Sequence, residues 1–235
     1  MTAPLSGEAL DALAAFDTPT ICNALSALLP DGGRRNVTSE MLHCPFPERG
    51  AMVGYARTST VRSARPFNLG AEAAMEVWTA YWRYLQDGPL PSVALVQDLD
   101  GERAGYGAFW GEINASVHRR LGCRGTVTDG SIRDLGGIPA GFQMLARKVV
   151  PSDGHVRLES FGGTVYVAGL EARSGDLIHA DRHGAVVIPP DVAPRLAAMA
   201  ARIVEAERGV IGLCSSPDFS LDALRRAWLA MGDLG

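Results

Sequence analysis

Twenty residues separate Glu112 from the adjacent pair Arg133-Asp134, and Gly111 precedes it. Two carboxylates and a guanidinium are the parts needed to hold a divalent metal beside an anionic oxo-acid. A hard cation such as Mg²⁺ takes oxygen ligands and usually keeps waters, so one direct carboxylate and a second acting through water suffice. Such a metal chelates a 2-oxo acid through its carboxylate and keto oxygens. An arginine beside it can then stabilise the enolate oxygen that develops when a carbon–carbon bond breaks. The plain alternative is a helix-starting Glu112 and a solvated Arg133-Asp134 pair, and spacing alone favours that alternative. The glycines shift the balance. Gly111 lets backbone approach a ligand, and Asp129-Gly130 is expected to turn the chain at the end of an apolar strand, where ligand sites collect.

Other chemistry finds less support. His179 and His183 are four apart, but G-D-L-I-H-A-D-R-H-G-A-V-V-I-P reads as strand–turn–strand, which does not hold both on one face. A structural role is expected, or at most a pocket-edge contact for His183. His118 sits six residues after Glu112 on an expected helix and does not share its face. His43 and His155 fall in loop-like sequence. Ser215-Ser216 lacks a G-x-S-x-G elbow. The single lysine, Lys148, lies on an expected strand beside Arg147, a poor setting for a Schiff base.

These residues need elements to position them. Residues 7–28 repeat at helical spacing with a break at Asp17-Thr18-Pro19, which predicts two short helices with a cap at the second. Residues 29–50 are rich in Pro and Gly and read as loop. A strand is expected at about 51–61, then an amphipathic helix over 68–86 with Leu69, Ala73, Val77, Ala80 and Tyr84 as its apolar stripe. P-S-V-A-L-V-Q-D is a buried strand, followed by a turn around Gly101, Gly105 and Gly107. A helix over about 111–121 leads to the strand R-G-T-V-T-D-G. Q-M-L-A-R-K-V-V-P, G-T-V-Y-V-A-G and A-V-V-I-P are further strands, and helices fill the last forty-odd residues. Strands alternating with helices predict one compact α/β domain over 1–235, its core at about 50–190, with terminal helices at 7–28 and 190–232.

Composition excludes several classes. The 235 residues carry a formal charge of −4 and 47% hydrophobic residues, with no long basic run. Nucleic acid is therefore an unexpected partner. Cys22, Cys44, Cys123 and Cys214 are widely spaced, so they are expected as reduced and mostly buried thiols rather than zinc ligands or disulfides. Neither a signal peptide nor an eighteen-residue apolar run is evident, which gives a cytoplasmic, non-membrane expectation.

The segment G-E-I-N-A…G-T-V-T-D-G-S-I-R-D-L-G-G, with the later G-D-L-I-H-A-D-R-H-G-A-V-V-I-P, resembles the RraA-like family. That family includes 4-hydroxy-4-methyl-2-oxoglutarate / 4-carboxy-4-hydroxy-2-oxoadipate aldolases and protein regulators of ribonuclease E activity. The resemblance runs from about residue 50 to 190. It implies a swivelling α/β/β sandwich, assembled as trimers or hexamers with sites near subunit clefts. It implies Asp134 as direct metal ligand to Mg²⁺ or Mn²⁺, Arg133 as the substrate-contacting arginine, and Glu112 as the acid acting through water. It also implies that backbone amides of Gly111, Glu112, Ile113 and Asn114 receive the substrate carboxylate. The implied activity is a metal-dependent lyase, cleaving a 4-hydroxy-2-oxo dicarboxylic acid or decarboxylating oxaloacetate. Two other readings stand beside it: a non-catalytic inhibitor docking on a ribonuclease or helicase, and a lyase or hydratase for another oxo-acid. Glu112 favours an enzyme, since the regulators tend to lack that acid. Three departures bear on substrate: Glu112 in place of Asp, His183 in place of an acid, and a longer segment near 62–90 bearing Trp78, Tyr81, Trp82 and Tyr84.

Overall fold

The structure is a computed structural model that describes residues 4–29 and 36–232. Part of the expected 29–50 loop therefore lies outside the described residues.

The chain begins with α1 (Gly7–Ala14) and α2 (Thr18–Leu28). Their junction follows from local chemistry. The Asp17 carboxylate accepts the Thr20 N–H at 2.9 Å, and Pro19 occupies the first turn, where a missing N–H costs nothing. The elements that follow are β1 (Met52–Arg62), α3 (Ala71–Gln86), β2 (Ser92–Asp98), β3 (Ala108–Trp110), α4 (Glu112–Arg120) and β4 (Cys123–Ile132). Then come β5 (Gln143–Val149), β6 (Arg157–Phe161), β7 (Val165–Val167), β8 (Leu170–Ala172), β9 (Leu177–Asp181), β10 (Gly184–Ile188), α5 (Ala193–Cys214) and α6 (Leu221–Gly232).

Eight strands form one mixed sheet. Parallel pairing joins β1 to β2, β2 to β4, and β4 to both β3 and β5. Antiparallel pairing adds β9 and β6 to β1, and β10 to β9. The parallel strands are buried on both faces, which explains runs such as Ser92–Leu95 with no exposed alternate position. Three apolar clusters hold the layers. One packs α1, α2 and α5 on β1, β9 and β10. A second packs the β7–β8 hairpin on the opposite face, and a third covers the sheet with α3 and α4. This is the mixed α/β fold expected, with its helical tail.

Three expectations need correction. The buried side of α3 is not the stripe through Leu69, Val77 and Tyr84. Tyr81 and Leu85 are its buried residues, Trp78 and Tyr84 pack beside them, and Leu69 and Val77 are exposed. Helical periodicity alone could not decide between two apolar arcs on a helix so rich in aromatics. Asp129-Gly130 is not a turn, because β4 continues to Ile132; the ladder with β5 only shifts register between Thr128 and Ser131. The cysteines are not mostly buried: Cys123 is, whereas Cys22 and Cys44 are half-buried and Cys214 is exposed.

The histidines are explained by packing. His179 is buried, its Nε2–H directed at the Leu13 and Phe16 carbonyls while Nδ1 accepts from the Thr18 hydroxyl at 3.0 Å. It ties the α1–α2 junction to β9. The neighbouring Asp181 accepts the Thr18 N–H at 3.0 Å and pairs with His183 at 3.1 Å.

Candidate functional site

Arg133 and Asp134 follow β4 at its carboxyl end, in the crevice region where open α/β sheets collect ligands. In an extended strand two successive side chains would point to opposite faces. Asp134 breaks that rule with φ 55° and ψ 40°, a left-handed conformation that asparagine and aspartate tolerate better than most residues. The break brings both side chains to the same side: Arg133 Nε lies 3.6 Å from Asp134 Oδ2. Two backbone bonds hold the corner, Arg133 N–H to Trp110 O at 2.8 Å and Gly137 N–H to Asp134 O at 2.8 Å.

The β3–α4 connection approaches from the other side. Gly111 is the residue before α4 and has no side chain because there is no room for one. A Cβ there would sit 2.5 Å from Asp134 Oδ2. A Cβ on Gly137 would meet the exposed Glu112 side chain, which would have to swing aside. The two glycines thus bracket the two acids, one against each. The Glu112 N–H, at the helix N-terminus, lies 3.4 Å from Asp134 Oδ2. The first-turn amides of a nine-residue helix have no intrahelical acceptor, so Gly111, Glu112, Ile113 and Asn114 present donors and a favourable dipole to an anion. The Asn114 side chain turns back to the Phe109 carbonyl at 2.6 Å, and Ile113 is 80% exposed. Their contribution is therefore backbone.

One charged residue escaped the sequence analysis. Asp153 Oδ2 lies 3.7 Å from a terminal nitrogen of Arg133, so the guanidinium has two carboxylates near it, Asp134 at Nε and Asp153 at that terminal nitrogen. Nothing in the surrounding P-S-D-G marks it. The loop is brought in by tertiary packing, with the Ala108 N–H donating to Ser152 O at 2.9 Å and Gly107 packed so closely on Asp153 that a Cβ would strike its carbonyl.

A second set of acids lies behind. Asp129 accepts the Asp98 N–H at 2.7 Å, and burial pushes its pKa up to about 6. Burial also raises Asp98, whose oxygens accept the N–H groups of Asp100 and Gly105. Asp98 holds the glycine-rich loop, and Asp129 holds the end of β2 beneath it. On the helix side, His118 is buried. Its Nδ1–H donates to Asn114 O at 2.7 Å and its Nε2 accepts from Tyr81 at 2.9 Å, while burial lowers its pKa to about 4. It anchors α4 to α3.

The donor set suits a hard cation. Oxygen is the only ligand type at the corner, and no cluster of three or more His, Cys, Asp or Glu poised for a metal occurs among the described residues. An ion that uses one or two carboxylates and keeps water, as Mg²⁺ and Mn²⁺ do, does not need such a cluster.

Comparison with known proteins agrees with the fold. Residues 18–187 match the RraA-like (Aldolase/RraA) family, and the chain belongs to that family. The match begins at α2, earlier than the 50–190 core expected from sequence. The uncharacterized protein MJ0644 of Methanocaldococcus jannaschii is 33% identical over 119 residues, covering 49% of this chain and 57% of that protein. The match thus spans little more than half the length of that relative. An uncharacterized protein from Pseudomonas syringae pv. tomato superposes with a TM-score of 0.71 at 23% identity, over 98% of this chain and 97% of that one. Streptomyces coelicolor RraAS2, described as an unusual member of the RNase ES inhibitor RraA family, gives 0.67 at 23% identity, over 88% and 98%. The family holds both metal-dependent aldolases and non-catalytic inhibitors of ribonuclease E.

Proposed function

We propose that this protein is a metal-dependent carbon–carbon lyase of the pyruvate-aldolase type, cleaving a 4-hydroxy-2-oxo dicarboxylic acid or decarboxylating oxaloacetate through the same pyruvate enolate. The observation that carries the reading is the left-handed turn at Asp134. It sets Asp134 and Arg133 on one side and against Gly111, beside the first-turn amides of α4. A solvated surface pair has no need of that backbone.

Asp134, with Glu112 acting through water, would hold Mg²⁺ or Mn²⁺. When bound, the metal supplies Lewis-acid polarisation of the 2-oxo acid. The protein's own groups supply the rest. The amides of Gly111 to Asn114 take the substrate carboxylate. Arg133 would meet the enolate oxygen, and its hold would strengthen as charge develops there, which is what lowers a barrier. Glu112 passes the proton between the departing oxygen and the enolate carbon. Lys148 plays no covalent part, because its Nζ is tied to the Ala104 carbonyl at 2.8 Å. Members of this family are typically trimers, and we propose a homotrimer or a pair of trimers, with a cytoplasmic location. Among the described residues no helix is long and apolar enough to cross a membrane.

The test is pyruvate release by the full chain from oxaloacetate and from 4-hydroxy-4-methyl-2-oxoglutarate, with Mg²⁺ or Mn²⁺ and again after EDTA. Turnover that EDTA abolishes and metal restores is the expected result. Absence of turnover on both, with no metal binding by calorimetry, would sink the enzyme reading and favour an inhibitor that docks on another protein.

A further inference from the structure

We infer that a second ligand site, separate from the Arg133 corner, binds a small molecule through a phosphate dianion. The site is a cavity of about 410 Å³ lined by Arg62, Ala64, Arg65, Asp100, Arg103 and Arg157. None of Glu112, Arg133 and Asp134 lines it. The inference is independent of the lyase reading above.

Three chain segments build the cavity. Arg62 ends β1, and Arg65 follows three residues on. Asp100 and Arg103 lie in the connection after β2, and Arg157 opens β6. β1 and β2 are adjacent and parallel, so the cavity sits outside their carboxyl ends, where open α/β sheets hold ligands.

Its charges divide into two sets. Arg62 and Arg157 already have acids beside them. Arg62 Nη1 lies 3.5 Å from Asp100 and its Nε 3.7 Å from Glu159, while Arg157 Nε lies 2.7 Å from the same Glu159. Asp100 is further occupied by the Ser63 and Ala64 N–H groups, which donate to it at 2.6 and 2.7 Å. Arg65 and Arg103 are exposed and have no carboxylate partner among the described residues. The Arg103 guanidinium lies over the Tyr106 ring at 4.6 Å, a stacking that orients its plane and leaves its edge N–H groups for a ligand. Four arginines thus stand against two carboxylates, in a chain whose formal charge is −4.

Two unpaired guanidiniums from separate segments suit an acceptor whose oxygens face more than one way. A carboxylate offers two oxygens in one plane and a single charge. A phosphate monoester offers nearly two charges and three acceptor oxygens at the corners of a tetrahedron, so that each guanidinium can take a pair. The volume falls in the range of small-molecule sites and exceeds what a bare phosphate fills, which leaves room for an organic part.

Calorimetric titration of the full chain with Mg²⁺, at fixed ionic strength, tests the site. The titrants are ribose 5-phosphate, inorganic phosphate, ribose and succinate. The proteins are wild type, Arg65→Gln, Arg103→Gln, Arg133→Ala and, as a charge-matched control on α6, Arg225→Gln. Ribose 5-phosphate is expected to bind with Kd below about 1 mM. Its affinity should fall about tenfold or more in Arg65→Gln and in Arg103→Gln, as loss of a charge-assisted hydrogen bond implies. Arg133→Ala and Arg225→Gln should bind as wild type does. Inorganic phosphate that binds as tightly, and is weakened by the same two variants, would support the site and make free phosphate its ligand. Succinate bound as tightly as ribose 5-phosphate at the same two arginines would overturn the phosphate assignment, and so would binding of ribose alone. Equal loss in Arg225→Gln would reduce the effect to net charge, and loss confined to Arg133→Ala would move the phosphate to the candidate corner. Either result overturns the inference, as does the absence of binding by both phosphates.

Discussion

At the scale of single residues the candidate site is an exercise in directing charge. Arg133 has two carboxylates near it, at Nε and at one terminal nitrogen, and neither contact is closer than 3.6 Å, so the guanidinium retains donors for a ligand. Removing it should cost transition-state stabilisation rather than stability. Arg133→Ala is expected to lower kcat on oxaloacetate by about a hundredfold or more while the melting temperature stays put. Near-full activity would be fatal to the proposed mechanism. Asp129 allows a cleaner electrostatic test. Its folded-state pKa of about 6 lies above the ordinary 3.8, so the penalty for ionising it is absent at low pH and grows as pH rises from about 4 through 6. Asp129→Asn keeps an oxygen acceptor for the Asp98 N–H and removes that penalty. It should therefore stabilise the protein at pH 8, by up to about 3 kcal/mol, and do little at pH 4. Thermal melts at both pH values check the sign.

At the scale of elements, α4 is the part that must not move, because it presents both Glu112 and the anion-facing amides. Its underside is fixed by His118 between Asn114 O and the Tyr81 hydroxyl, in a setting walled by Trp110 at 4.5 Å between centroids. Tyr81→Phe would leave the buried Nε2 without a donor and is expected to cost about 1–3 kcal/mol. The same histidine makes stability fall as pH drops from about 6.5 to about 4, since the unfolded chain takes up a proton there that the fold refuses. Urea melts at pH 7 and 5 should show this. The helices and most strands were legible in the sequence because each carries its own signal. Asp17-Thr18-Pro19 caps α2 locally, and V-A-L-V is apolar enough to name β2. β6 was missed because R-L-E-S-F is polar and short, and is made a strand by its antiparallel partner β1. The α3 stripe was mistaken since the neighbours that select a face come from β6 and α4, far along the chain.

At the scale of the whole molecule, the sandwich is closed by α5 against the N-terminal helices, and α6 comes after. α5 packs into the first core through Leu196, Ala200 and Ile203, whereas Leu221, Trp228 and Leu229 of α6 are all 60% or more exposed. α6 adds little apolar burial to the domain. Truncation after Ser216 is therefore expected to leave a cooperatively folded protein, with the melting temperature lowered by less than about 8 °C, corresponding to roughly 2 kcal/mol for a chain of this size. Loss of the cooperative transition would show instead that the tail belongs to the core.

The sequence by itself determined the class of fold and the identity of the corner. Alternating strand and helix patterns define an α/β sheet, and the Gly-Glu and Arg-Asp pairs with the Asp-Gly ahead of them mark this family. Those features are local, or repeat at a fixed spacing, so they survive in one dimension. Only the tertiary structure decided that Asp134 turns left-handed to share a side with Arg133, that Gly111 and Gly137 lie against the two carboxylates, and that Asp153 comes near the Arg133 guanidinium. Each of those depends on chain segments twenty or more residues apart meeting within a few ångströms. Packing, and not sequence spacing, sets that distance.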